Sequence, residues 1–313
     1  MNILKSGLNL LHRVESDVQR TVNKAENAVG TAANAVRQGV EKGEQKLGQF
    51  VDGFEHQVQQ KAGLLGGLFG GDKADLPNDG KLVGAGGQTF APGTPLSQIP
   101  GVTPKNNPNP SETILYVNGI GDNKDKQANS LQTIADTTGA KIIGVHNATE
   151  GMAADVLQCV KDKLDKGTNP AVDTLADTIY SELKAGHSVH LMGHSQGGLI
   201  TSRALSHVAN RLRLEDGLSK ADTEKLLSNV KAETFGAAAW SYPDGPKYVH
   251  YVNDKDLVPG LFGLGKDNFL DHAGKDAVVR RFDYGSNPGD AHGLGSAYLP
   301  ARVPFDEARA GKP

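Results

Sequence analysis

The chain is short of several things at once. It holds a single cysteine, Cys159, so no intrachain disulfide can form. Its setting, "DVLQCVKDKL", places that cysteine at helical spacing as buried apolar filler rather than as a nucleophile. There is one tryptophan, and aromatic residues make up only 5% of the chain. No window approaches the roughly 18 apolar residues that a membrane-spanning helix needs. Excess charge of one sign is missing too: 33 basic and 36 acidic residues give a formal net charge of -3. That balance offers no electrostatic reason to expect nucleic acid as a partner. The opening residues "MNILKSGLNLLHRVESD" lack an apolar h-region and a small-residue cleavage site, so no Sec signal peptide is expected. No His, Cys and carboxylate cluster has metal-ligand spacing, and "GDNKDK" around Asp122 lacks the EF-hand pattern. Neither a metal nor a cofactor is expected.

What is abundant is glycine, 39 of 313 residues, in a chain long enough for one large α/β domain plus an appendage. The chain divides into three. Residues 1–62 form an amphipathic helical extension: Val14, Ala25, Val36, Leu47 and Val58 recur every 11 residues, which keeps one apolar stripe on a nearly straight helix. The stripe is thin, and Gly30, Gly39, Gly43, Gly48 and Gly53 each cost roughly 1 kcal/mol relative to Ala. The segment is either a mobile extension read by an export system or chaperone, or a surface helix that docks on lipid. Residues 63–111 read as a Gly- and Pro-rich linker, with "GLLGGLFGGDK" and "APGTPLSQIPGVTPKNNPNP" breaking every periodicity. Its cluster Leu64, Leu65, Leu68 and Phe69 suits either a bilayer interface or packing on the domain, so peripheral membrane contact is assigned to residues 1–69.

Residues 112–313 carry a different pattern. Short β-branched and aromatic runs stand at 113–117, 140–145, 188–192, 230–235, 247–252 and 277–284, with helical patterns at 152–164, 170–185, 198–212 and 220–227. Strands alternating with helices predict an α/β fold with a mainly parallel sheet covered on both faces. In such sheets ligands sit outside the carboxyl ends of the strands, so the residues after each strand matter most.

After the third run comes Gly193-His194-Ser195-Gln196-Gly197, which fits G-x-S-x-G. A strand that turns directly into a helix strains its middle residue and demands small residues two before and two after it. The turn exposes the serine Oγ at a helix N-terminus. A glycine-rich turn that happens to hold a serine is the bland alternative, but the flanking strand and amphipathic helix favour a nucleophile. Serine then needs a base, and the base an orienting acid. In this fold they follow in the order Ser, Asp or Glu, His. After the fifth run stands "NDKDLVP", where Asp256 is the candidate acid and Asp254 the alternate. After the sixth, "NPGDAHGLGSAYL" supplies His292; the alternate base, His272, precedes that last strand. His187, His190, His194 and His250 lie in or beside strands or the elbow and read as structural. The oxyanion donors expected are the Gln196 N–H and, from "VNGIG" after the first strand, the Ile120 N–H, with Gly119 second.

The ordered set "VNGIG", "GHSQGG", "DLVP" and "AHGLGSAYL" resembles the α/β-hydrolase superfamily over roughly residues 112 to 300. Asp-x-Val-Pro after a strand is similar to the acid segment of class 3 lipases. The whole arrangement, with its signal-less amphipathic N-terminus, is similar to bacterial lipase effectors delivered by contact-dependent secretion, such as type VI phospholipases. Most superfamily members carry His-Gly where this chain has Asn118-Gly119. The resemblance implies an α/β-hydrolase fold and a serine hydrolase acting on carboxylic esters of lipids. It also implies a bacterial protein, cytoplasmic or secreted without a Sec signal, with secretion machinery or an immunity protein as possible partners. A soluble esterase, thioesterase or acyltransferase with the same triad, and a non-catalytic binding or delivery protein on an inert hydrolase fold, are the alternatives.

Overall fold

The computed structural model describes residues 76–120, 122, 124–148, 169–265 and 271–312. The expectations for residues 1–62, for Leu64 to Phe69, for the helical pattern at 152–164 and for Cys159 lie outside the described residues. Eight strands form one sheet in the order β2-β1-β4-β3-β5-β6-β7-β8. They are β1 (Leu82–Val83), β2 (Thr89–Phe90), β3 (Thr113–Val117), β4 (Lys141–Val145), β5 (Val189–His194), β6 (Val230–Phe235), β7 (Lys247–Asn253) and β8 (Val278–Phe282). The six from β3 onward pair parallel; β1 runs antiparallel to both β2 and β4.

The strands alternate their side chains between two cores, as the pleat requires. In β3, Leu115 and Val117 enter one core while Ile114 and Tyr116 enter the other. The first core is covered by α2 (Pro170–Lys184) and α3 (Gln196–Leu214), with Leu227 of α4 (Lys220–Leu227) at its margin, through Val172, Leu175, Ile179 and Leu183 from α2 and Ile200, Ala204, Leu205 and Val208 from α3. Spacings of three and four residues put each set on one helix face. Asn169 starts α2 by accepting from Ala171 N and Val172 N at 2.9 and 3.1 Å, with Pro170 at the first helical position, where its missing N–H costs nothing. The second core is covered by α1 (Lys124–Thr138) and α7 (Phe305–Arg309), through Leu131, Ile134, Phe305 and Ala308, with Tyr298 beside them. No helix among the described residues is long and apolar enough to cross a membrane.

The structure corrects the linker reading of residues 63–111 over its described part. Leu82 and Val83 are fully buried and pair with Val145 and Gly144 of β4. Ile99 is buried, and Val102 bridges to Ile142. Burying a Leu or Val side chain contributes roughly 1.5–3 kcal/mol, so two residues suffice to hold this edge. A two-residue strand is too short to show alternation, and the surrounding glycines and prolines interrupt any longer pattern. The sheet therefore begins before residue 112.

At the amino ends of the parallel strands sits an ionic cluster in which the side chains of His190, Glu233 and Arg302 are buried and that of Glu112 is half exposed. His190 Nδ1 faces Glu112 at 2.7 Å and its Nε2 faces Glu233 at 2.9 Å. Arg302 forks onto Glu233 with two 2.9 Å bonds. A cavity of about 770 Å³ opens beside the cluster, lined by Glu112, His187, His190 and Lys231 among others, at the end of the sheet opposite Ser195. Burial alone would lower the His190 pKa, but the two carboxylates outweigh it and hold the imidazole above its ordinary value. A raised folded-state pKa stabilises the fold fully below the unfolded value, about 6.5, and the contribution fades as pH climbs through the folded value. His190→Gln is therefore expected to destabilise the protein more at about pH 6 than at about pH 9, read by urea unfolding at both. An equal loss at both would contradict the charged assignment.

Candidate active site

The order of the strands decides where a site can form. From β3 the chain steps one way to β4, and β5 begins the run in the other direction. The crevice of an open sheet lies at such a reversal, outside the carboxyl ends. Two segments meet there: Asn118-Gly119-Ile120 after β3, and Ser195 after β5.

Ser195 sits between β5 and α3 with φ 57° and ψ -121°, a conformation that costs a non-glycine residue on the order of 1–3 kcal/mol. The surroundings enforce it. Ser195 N donates to Phe235 O at 3.0 Å, and Ser195 O accepts from Ala238 N at 3.0 Å, tying the elbow to the end of β6. Gly193 and Gly197 are needed for close approach. A Cβ on Gly197 would stand 2.1 Å from Val117 O, and one on Gly193 would stand 2.7 Å from Gly197 O. Both expected elbow glycines thus lie where strand, helix and β3 backbones nearly touch.

Asp256 follows β7 and caps the short helix α5 (Leu257–Phe262), its Oδ1 accepting from Val258 N at 2.9 Å. His292 closes α6 (Pro288–His292) after β8. His292 Nδ1 lies 2.7 Å from Asp256 Oδ2, and His292 Nε2 lies 2.9 Å from Ser195 Oγ. A carboxylate only accepts, so Nδ1 carries the proton and Nε2 is left to accept from the serine hydroxyl. All three groups are buried, with Ser195 at 2%, Asp256 at 3% and His292 at 7% exposure, where bulk water does not weaken the chain of bonds.

The two alternates stand elsewhere. Asp254 is half exposed and pairs with Arg281 Nη1 at 2.9 Å. His272 pairs with Asp244 at 2.9 Å. Among the histidines read as structural, His250 accepts this description: it bonds Thr234 and Ala273 O, and burial pushes its pKa down to about 4. His194 does more. Its Nε2–H donates to His292 O at 2.9 Å, and its ring lies 4.8 Å from that of His292. Burial, helped by the neighbouring His292, pushes its pKa down to about 3, so it stays a neutral brace on the histidine loop.

Several supporting groups escape the sequence argument. Tyr298 OH donates to Asp256 Oδ2 at 2.6 Å; burial, with the adjacent carboxylate, drives the phenol pKa far above its ordinary value and keeps it a donor. Gly236, at φ +53°, leaves no room for a side chain, since a Cβ would stand 2.8 Å from Asp256 Oδ2 and 2.7 Å from Tyr298 OH. Asn253 at the end of β7 donates to Ala291 O and to Tyr284 O, each at 2.8 Å, and so ties the His292 segment to the strand before the acid. Tyr298 could have been suspected from its place six residues after His292 in "AHGLGSAYL". Nothing in the sequence around Gly236 marks it.

The sheet order, the strained serine after β5 and the succession of Ser195, Asp256 and His292 make this an α/β-hydrolase fold. No protein-family model matches the chain, and no curated protein matches it. Among solved structures it is similar to the RedJ thioesterase of the prodiginine biosynthetic pathway in Streptomyces coelicolor. That likeness has a TM-score of 0.34 and 13% identity over 65% of this chain and 85% of that one. It is also similar to a hydrolase of the alpha/beta superfamily from Xanthomonas campestris pv. campestris. There the TM-score is 0.32 and the identity 15%, over 64% of this chain and 96% of that one. Among the described residues, no group of three or more His, Cys, Asp or Glu side chains is placed to hold a metal ion.

Proposed function

We propose that this protein is a serine hydrolase that cleaves carboxylic esters, with lipid esters as its substrate class. The observation that carries the reading is the unbroken chain from Ser195 Oγ through His292 to Asp256. Ser195 Oγ attacks the acyl carbon as His292 Nε2 takes its proton. The tetrahedral oxyanion is held by backbone N–H groups, that of Gln196 at the start of α3 and that of Ile120 or Gly119 across the crevice. Collapse expels the alcohol, which receives the proton from His292. Water then enters, gives a proton to the same nitrogen as its oxygen attacks the acyl-enzyme, and collapse breaks the acyl–Oγ bond, His292 returning the proton to Ser195 Oγ as the acid leaves. Asp256 keeps the imidazole in the required tautomer throughout.

The lipid assignment is supported by the sequence: the 11-residue apolar stripe of residues 1–62, the cluster Leu64 to Phe69, and the likeness of "DLVP" to class 3 lipases. Peripheral membrane contact, and export as an effector with an immunity partner, belong to the same proposal. The purified full chain is expected to hydrolyse p-nitrophenyl acyl esters and to release fatty acid from phosphatidylcholine–phosphatidylglycerol vesicles. An acyl thioester in parallel tests the thioesterase alternative. Turnover of esters in solution with none on vesicles would remove the lipid assignment, and a chain inert to every ester would remove the hydrolase reading.

A further inference from the structure

A closed network of amide side chains lies directly behind the Asn118-Gly119-Ile120 segment. Asn118 is fully buried, and its amide uses every hydrogen-bonding position it has. Nδ2 donates to Asn147 O at 2.8 Å and to Gly119 O at 3.1 Å. Oδ1 accepts from Gln127 Nε2 at 3.0 Å and from Asn147 N at 2.9 Å. An amide has two N–H donors and two oxygen lone pairs, so this set is complete, and turning the amide over would set oxygen against two carbonyls. Gln127 is equally buried and held in turn: its Nε2 also donates to Val145 O at 3.2 Å, and its Oε1 lies 2.8 Å from His146 Nδ1. Asn147 Nδ2 donates to Gln196 Oε1 at 2.8 Å, which joins the network to the residue after the nucleophile.

The bond to Gly119 O has a directional consequence. Gly119 O and the Ile120 N–H belong to one planar trans peptide, in which C=O and N–H point opposite ways. Holding the carbonyl inward on Asn118 turns the N–H outward, on the side where Gly119 lies against the nucleophile; a Cβ there would be 2.8 Å from Ser195 Cβ and 3.4 Å from Ser195 Oγ. We infer that Asn118, clamped by Gln127 and Asn147, is the positioning residue that fixes the Gly119–Ile120 peptide with its N–H facing the oxyanion, so that Ile120 rather than Gly119 supplies the second donor. The inference rests on the serine hydrolase reading of Ser195.

Asn118→Asp keeps the shape but replaces the donating amide nitrogen with oxygen facing Asn147 O and Gly119 O, which frees the peptide to turn. Loss of one oxyanion donor costs about 10² to 10³ in kcat. The variant is expected to lose about that much while KM moves by less than about threefold, because the donor acts in the transition state. The decisive readout pairs an oxygen ester with its thionoester, whose sulfur is a poor acceptor for an N–H donor. The wild type should favour the oxygen ester strongly, and that preference should shrink in Asn118→Asp. Gln127→Leu, which removes one clamp from a position away from Ser195, should show the same change at a loss of about tenfold in kcat, and it decides the matter if Asn118→Asp does not fold. Rates are normalised to sites titrated by a fluorophosphonate. An unchanged kcat, or a loss shared equally by both esters, would overturn the inference and leave the hydrolase reading standing. A wild type inert to the oxygen ester and to the fluorophosphonate would sink the hydrolase reading, and this inference with it.

Discussion

Ser195→Ala is expected to lower kcat for ester hydrolysis by on the order of 10⁶-fold while leaving the fold intact. The side chain contributes one hydrogen bond, to His292 Nε2, and the elbow is held by bonds of the Ser195 backbone to Phe235 and Ala238, which alanine retains. Thermal unfolding should therefore move little. His292→Ala should be nearly as damaging, and the double variant should lose no more than either alone, because nucleophile and base act as one unit. Additive losses would mean that the two groups act separately, against the geometry that joins them.

Asp256→Asn is expected to lower kcat by about 10³ to 10⁴ with little change in KM. Three donors converge on this carboxylate: His292 Nδ1, Tyr298 OH and Val258 N. An amide cannot accept from all three, and an Nδ2 turned toward His292 would favour the tautomer that leaves Nε2 protonated and unable to accept from Ser195. Asp254→Asn should be nearly silent in turnover, since that residue is half exposed and pairs with Arg281. The reverse ranking would transfer the role two residues upstream.

The contrast between these two aspartates shows where the sequence is legible. Both follow the same strand, and the order Ser, Asp, His limits the candidates to that stretch. Asp256 stands directly before Leu-Val-Pro, and the structure shows it capping the start of α5 there. The six parallel strands are equally legible, because each carries a short run rich in β-branched or aromatic residues. The helix at Lys124–Thr138 left a usable trace in Leu131, Ile134 and Ala135, followed by Gly139 at φ +74°, but polar residues dilute its face. What the sequence hides is support acting across long separations. Tyr298 reaches Asp256 over 42 residues, and Asn147 reaches Gln196 over 49. Asn118 looks like ordinary turn chemistry until β4 and Gln127 are set beside it. The two-residue strand Leu82–Val83 has no periodicity to read, and only its pairing with β4 reveals it.

The role proposed for Ser195 is that of a nucleophile activated by His292. The most direct measurement is covalent labelling of the full-length protein with a fluorophosphonate, followed by intact mass and peptide mapping. One adduct per chain is predicted, located on Ser195, with labelling abolished in Ser195→Ala and strongly slowed in His292→Ala. A folded wild-type protein that takes up no label, or takes it on a different residue, would contradict the account.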